Sequence, residues 1–378
     1  MNEVIIIGAG IGGLTAAIAL RQRGIAATIY EAAPASRALG AGIWVPPNAM
    51  EILSRLGLAE AVVAAGAALE SADIRDDRGV TIQRAPMPRA ADGKVRAVAI
   101  HRARLHEILL AAAGESNIRF GKACAGVEQD GERATVSFAD GSQASAACVV
   151  GADGLRSAVR QRLFPDVPLR YSGQSSYRAV VSSPLATAAA GAELWGAGRR
   201  FGFSALADGQ VYWYATFNAP AGQRDTPGTI EARLRSLFAG FPAPIPALIG
   251  ATPPESIVHT DIFDCPPLAA WHRGRVGLIG DAAHAATPNL GQGGAQAIED
   301  AYVLAECLAG HDHPDAAFAA FERRRRDKAL LIVRRSWHIG KVAHWRNPLA
   351  RSLRNGLIRR TPARITERQV KQLYELGY

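Results

Sequence analysis

The sequence predicts an α/β fold with a parallel sheet between helices, a second domain built on a mixed β-sheet, and a C-terminal helical region. Three observations predict it. Residues 2–7 (NEVIII) are a short apolar, β-branched run opening into a glycine loop and a helix pattern, as a buried parallel strand does. After Tyr171 the composition shifts to aromatic, alternating stretches with few helix patterns. From Phe318 onward the pattern is helical and basic. A length of 378 residues, 48% of them hydrophobic, suits about two domains of roughly 150 residues. With 20% charged residues and no repetitive tract, extensive disorder is excluded.

The elements follow in order. Residues 14–23 are a helix pattern stopped by Gly24, and 26–30 (AATIY) read as the second strand, closed by Glu31. Residues 48–56 form an amphipathic helix before Gly57. Residues 74–84 read as an antiparallel hairpin with an Asp-Asp-Arg-Gly turn, and 102–113 as a helix. Residues 118–127, 134–138 and 144–150 alternate as strands, and Asp140-Gly141 turns between the last two. Residues 193–206 and 210–217 read as two long strands joined by Ala207-Asp208-Gly209. A helix at 229–238, a buried strand at 275–279 (RVGLI), a helix at 295–308 and a long helix at 318–345 complete the reading. The expected division is a nucleotide-binding domain from 1–73, 97–170 and 262–320, a substrate domain from 74–96 and 171–261, and helices over 321–378.

The formal charge of +9 is unevenly placed. From Arg323 to Tyr378 there are 16 Lys/Arg against 3 Asp/Glu, which leaves the other 322 residues with 27 against 31. The tail reads as a solvated helical face with a subunit or domain contact, in preference to a nucleic-acid surface. Peripheral contact with an anionic membrane stays open, as does the choice between monomer and homodimer. No run reaches the roughly 18 apolar residues of a membrane span. The amino terminus carries Glu3 and nucleotide-loop glycines rather than a basic signal-peptide start. Cys124, Cys148, Cys265 and Cys307 lie far apart, so no metal site or redox pair is expected, and a reducing cytoplasm fits.

Three loops carry the chemistry. Gly8-Ala9-Gly10-Ile11-Gly12-Gly13 is a GxGxxG between strand and helix. Gly8 permits the turn, Gly10 admits a pyrophosphate, and Gly13 allows close packing. Glu31, at the end of the second strand, suits both ribose hydroxyls of an adenosine. The second loop, residues 151–160, contains Asp153-Gly154, with Ser157 and Arg160 one turn apart; its bland reading is a capped turn with a surface arginine. The third runs from Arg275 through Gly280-Asp281 to Pro288 and Gly291-Gln292-Gly293-Gly294. There Asp281 suits a ribityl hydroxyl, and the helix start suits the negative edge of a reduced flavin.

In this order the loops resemble the aromatic-hydroxylase family of FAD-dependent monooxygenases, the para-hydroxybenzoate hydroxylase type, over nearly the whole chain. The resemblance implies a Rossmann-like FAD-binding domain. It assigns Arg37, Gly40, Ala41 and Gly42 to an early flavin-contacting segment, Arg104 to a flavin-facing arginine, and Asp153-Gly154 to a loop serving FAD and the nicotinamide cofactor. It further implies reduction of FAD by NADH or NADPH, then O2 addition to give a C4a-hydroperoxyflavin that hydroxylates a small aromatic or heteroaromatic substrate. Pro288 to Gly294 would wall the flavin edge. Arg200 and Tyr212, placed as in the urate-hydroxylase branch, are the polar candidates to hold the substrate and relay a proton. Isoprenoid epoxidation or hydroxylation of a quinone precursor is the alternative on the same loops, and a non-catalytic flavin binder is the third reading.

Overall fold

The computed structural model describes residues 3–36, 41–87, 97–184 and 190–377. β1 (Glu3–Ile7), α1 (Ile11–Gln22) and β2 (Ala26–Tyr30) form the strand–helix–strand unit at the amino end. Val4 to Ile7 are all buried, which is why β1 takes a central place. β3 (Gly42–Val45), α2 (Pro47–Arg55), α3 (Ala59–Ala64) and β4 (Gly66–Leu69) come next. The hairpin β5 (Ser71–Asp76) and β6 (Thr81–Pro86) follows, then β7 (Ala97–His101) and α4 (Arg102–Ala113). β3, β7 and β4 pair as a small antiparallel sheet that the sequence reading did not contain.

Two expected strands are each divided. Residues 118–127 become β8 (Ile118–Arg119) and β9 (Cys124–Gln129); after β10 (Ala134–Phe138), residues 144–150 become β11 (Gln143–Ala146) and β12 (Cys148–Gly151). Gly121, at φ 72°, turns the chain out of the main sheet, so β9 joins β10 and β11 in a sheet of their own. α5 (Ala158–Leu163) follows β12.

β13 (Arg170–Ser182), β14 (Ala190–Trp195), β15 (Arg199–Ala205) and β16 (Gln210–Asn218) begin the second large sheet. After α6 (Pro227–Phe238) and α7 (Ile245–Ala251), β17 (Val258–Asp264) completes it, in the order β17-β13-β16-β15-β14-β5-β6. The single strand expected at 193–206 is a hairpin. Gly198 turns it at φ 69° and its carbonyl accepts the Asn218 N–H at 3.0 Å. One sheet face buries Tyr177, Phe201, Trp213 and Phe217 beneath α6 and α7, and Tyr212 and Tyr214 occupy the other.

The chain returns through β18 (His272–Arg273) and β19 (Val276–Leu278) to the first sheet, ordered β18-β19-β12-β1-β2-β8 and parallel from β19 to β8. α8 (Asp281–His284) and α9 (Gly293–Ala309) follow, and α9 packs on α1. The tail forms α10 (Pro314–Ala343), α11 (Pro348–Arg359) and α12 (Ala363–Tyr374). No helix among the described residues is long and apolar enough to cross a membrane, and none of their His, Cys, Asp and Glu side chains cluster as metal ligands.

Candidate active site

β1, β12 and β19 are parallel neighbours, so their carboxyl ends bring Gly8, Asp153 and Asp281 to one sheet edge, where open α/β sheets bind ligands. Backbone bonds stitch that edge together. Ala152 N–H donates to Ile7 O at 2.8 Å, Ile279 N–H to Gly151 O at 3.0 Å, and Gly8 N–H to Tyr30 O at 2.8 Å. His106, unnoticed in the sequence, meets Ala9 O at 2.7 Å.

The loop glycines divide into packed and open positions. A Cβ on Gly8 (φ 105°) would lie 2.6 Å from Ala152 O, and one on Gly13 would collide with the Gly8 carbonyl. On Gly12 it would press on Ala297 at 3.3 Å, whereas on Gly10 it would meet nothing within 4 Å. Gly10 therefore borders open space at the start of α1. Both α1 and α9 begin without a side-chain cap or an acidic first-turn residue, leaving free N–H groups for an anion. Gly291 has a left-handed backbone (φ 63°), and a Cβ on Gly293 would sit 3.8 Å from Asp281 Oδ1. Gly294 packs near Ile43.

The Asp281 carboxylate accepts no hydrogen bond from the described residues, and the residue is exposed. It stands nonetheless in a recess, and burial pushes its carboxyl above the usual range against the nearby charges of His284, Arg102 and Arg160. Glu31 accepts the Ala9 N–H at 2.7 Å and the Ala33 N–H at 2.8 Å, which leaves each oxygen a lone pair for a ribose hydroxyl. An edge with two uncapped helix starts, an open glycine face and two available carboxylates fits FAD.

The second loop follows its capped-turn reading at Asp153-Gly154 and departs from it at Arg160. Asp153 accepts Ser157 Oγ–H at 2.5 Å and Val159 N–H at 3.1 Å, so it organises its own turn; Gly154 makes that turn at φ 74°. Arg160 is not a surface arginine. It is buried and donates to the carbonyls of Asp281 and Ala282, both at 3.2 Å, tying the second loop to the third. Arg104 lies on the exposed side of α4, paired with Glu107 at 2.5 Å. The charge of Arg102, also exposed, reaches Asp281 and Tyr212. Gly42 packs on the Tyr212 ring, with no room for a side chain. Arg37 and Gly40 lie outside the described residues.

Arg200 and Tyr212 share a sheet face but do not meet. Arg200 pairs with Thr216, Gly202 with Tyr214 and Ser204 with Tyr212, so the Tyr214 ring, lying over Gly202, stands between them. Arg200 is buried, and its terminal nitrogens donate to Glu193 Oε1 at 3.0 Å and to Asn289 Oδ1. Glu193 also accepts from Trp195 Nε1 and the Tyr214 hydroxyl. Asn289 in turn donates to Thr287 Oγ1 at 2.8 Å and to Ser336 O at 2.9 Å. Arg200 thus fastens the segment Pro288–Leu290 to the second sheet. Pro288 and Gly291 themselves are exposed.

His344 packs beside this cluster, with Nε2 3.1 Å from Thr216 Oγ1 and Nδ1 2.9 Å from Gly340 O. Burial, reinforced by the charges of Arg200 and Arg354, holds its pKa well below the ordinary 6.5. The unfolded chain therefore binds a proton that the folded protein refuses. Stability is expected to fall as pH drops below about 6.5, by up to about 1.4 kcal/mol per unit on this account, and to be flat above it. Denaturant unfolding across this range should show a shallower slope for His344→Gln, and an unchanged slope would refute the assignment.

The chain's relatives agree with this geometry. The FAD binding domain family model matches residues 1–336. The aurachin C monooxygenase/isomerase of Stigmatella aurantiaca is 42% identical over 94% of this chain and 93% of its own. The 2-heptyl-3-hydroxy-4(1H)-quinolone synthase of Pseudomonas aeruginosa is 35% identical over 98% and 97%. The crystal structure of Klebsiella pneumoniae HpxO with FAD and uric acid superposes with a TM-score of 0.91 at 30% identity, covering 100% of this chain and 97% of that one. The chain belongs to the FAD-dependent aromatic hydroxylases and is a flavoprotein monooxygenase.

Proposed function

We propose that the enzyme oxygenates a neutral bicyclic heteroaromatic ring of the 4-quinolone type that carries an apolar chain. One observation carries this reading: an apolar line runs from Tyr212 to the surface. Tyr212, Trp44, Val180, Leu206 and Met87 share one cluster, and the Tyr374 hydroxyl touches Met87 Sδ at 3.8 Å. Tyr374 then lines a groove of about 1120 Å³ with Ile82, Pro86, Ile358, Val370 and Leu376, room for an alkyl chain. Two of the relatives act, by name, in aurachin and 2-heptylquinolone chemistry. An anionic substrate such as urate finds less support, because Glu193 already neutralises Arg200.

Bound FAD, reduced by NADH or NADPH, supplies the electrons and the oxygen activation. Asp281 and the uncapped start of α9 would hold it by a ribityl hydroxyl and its pyrimidine edge. Burial pushes the Tyr212 hydroxyl up to about 12, so it stays protonated at neutral pH and can donate to a ring carbonyl. Arg200 is a positioning residue in this reading, acting through Asn289 on the wall at Pro288.

The test follows NAD(P)H oxidation by the holoenzyme with 2-heptyl-4(1H)-quinolone, urate or salicylate, with product mass read in parallel. The quinolone is expected to accelerate oxidation and gain one oxygen, and Tyr212→Phe to raise KM about fivefold with bound flavin unchanged. Oxygenation of urate with the quinolone inert would overturn the reading.

A further inference from the structure

The tail helices present an apolar face that none of the described residues covers. Leu349, Leu353 and Leu357 recur every fourth residue along α11 and are 80%, 64% and 61% exposed. Trp345, just before the helix, and Ile365 on α12 are exposed as well. The opposite side of α11 is firmly seated: Arg354 and Asn355 are buried, and Arg351 pairs with Asp77. The stripe is therefore held outward by the fold. Arg346, Arg360, Arg364 and Arg368 are all exposed, and none has an acidic partner among the described residues. Much of the remaining basic surplus of the tail is spent elsewhere, since Arg324, Arg325, Arg326, Lys328, Arg351 and Arg359 all pair with acidic residues.

We propose that α11 and the start of α12 form an interfacial anchor for a membrane surface of anionic lipid. Leucines in a row beside a tryptophan bury into the boundary between headgroups and acyl chains, and flanking arginines meet lipid phosphates. Charge decides against a second copy of the chain as the occupant. A two-fold contact through the stripe would set the same four arginines against one another.

Co-sedimentation of the full-length holoenzyme with vesicles tests it, using phosphatidylcholine alone or mixed with phosphatidylglycerol. Wild type is expected to bind the anionic vesicles, to bind the neutral ones far less, and to be released at about 0.5 M salt. Arg364→Glu and Arg368→Glu should each lower partitioning by at least about fivefold, and Leu353→Glu by a similar factor, all with an unaltered flavin spectrum. Equal binding by wild type and Leu353→Glu, or binding indifferent to lipid charge, would overturn the proposal. So would a dimer, seen by analytical ultracentrifugation, that Leu353→Glu dissolves while wild type ignores vesicles.

Discussion

Replacing Arg325 with methionine is expected to lower stability by about 4 kcal/mol and to strip much of the bound flavin. Arg325 is fully buried and donates to Asp300 Oδ1 at 2.8 Å, Glu299 Oε2 at 2.5 Å and Gln296 Oε1 at 2.6 Å. Removing one partner of a buried ion network leaves uncompensated carboxylates, a change that costs about 3–5 kcal/mol. For a chain of this length, about 4 kcal/mol is roughly 5 °C in Tm. The flavin loss follows from what the carboxylates hold. Asp300 Oδ2 accepts the Gly280 N–H at 2.9 Å and sits 2.5 Å from His284 Nε2, just before and after Asp281. Through Asn48, Glu299 is linked to Gln292, the residue that opens α9.

The same substitution has a pH signature. The charges of His284 and Arg325 hold the Asp300 carboxyl well below its ordinary value. In wild type that stabilisation is present above the unfolded carboxylate pKa and is lost only as pH falls through the lower folded value. Without Arg325, burial pulls the carboxyl upward, and protonation then favours the folded variant. Its deficit against wild type should be smaller at pH 5 than at pH 8. Denaturant unfolding at the two values checks this, and a deficit independent of pH would remove Asp300 from the account.

The three loops at the sheet edge were legible because their signals are local. A strand ending in a glycine, followed by a helix pattern and a carboxylate after the next strand, needs no tertiary knowledge to read. Partners across the fold leave no such trace. Arg160 and Arg325 read as tail or surface cations in one dimension, yet each is buried against carbonyls or carboxylates more than twenty residues away. Arg102, whose charge acts on Asp281 and Tyr212, stands two positions before Arg104 on α4. Two positions on a helix separate side chains by roughly 200°, so the two charges point in different directions, and the sequence alone does not show which one faces the sheet edge. The turn at Gly196-Ala197-Gly198 hid because the alternation of residues 193–206 continues through it. The basic tail shows a further limit: composition counts charges, and only contacts show which are already paired.

The second large effect belongs to Asp281. Asp281→Ala is expected to purify with little FAD and to bind added FAD about 10- to 100-fold more weakly than wild type. A hydrogen bond to a charged group contributes about 1.5–3 kcal/mol, and this carboxylate is free to make one, accepting nothing from the described residues. Arg160 holds the Asp281 backbone in place from beneath, so the alanine variant keeps the loop and loses only the acceptor. Asp281→Asn separates charge from geometry. It retains an acceptor and should fall between alanine and wild type. Burial raises the Asp281 pKa, so wild-type FAD affinity should begin to weaken above the ordinary carboxylate range as pH falls, while the asparagine variant lacks that limb. Flavin absorbance after gel filtration and titration of apoprotein with FAD measure both effects. Full occupancy in Asp281→Ala would place the ribityl chain elsewhere and leave the uncapped starts of α1 and α9 as the chief grip on the cofactor.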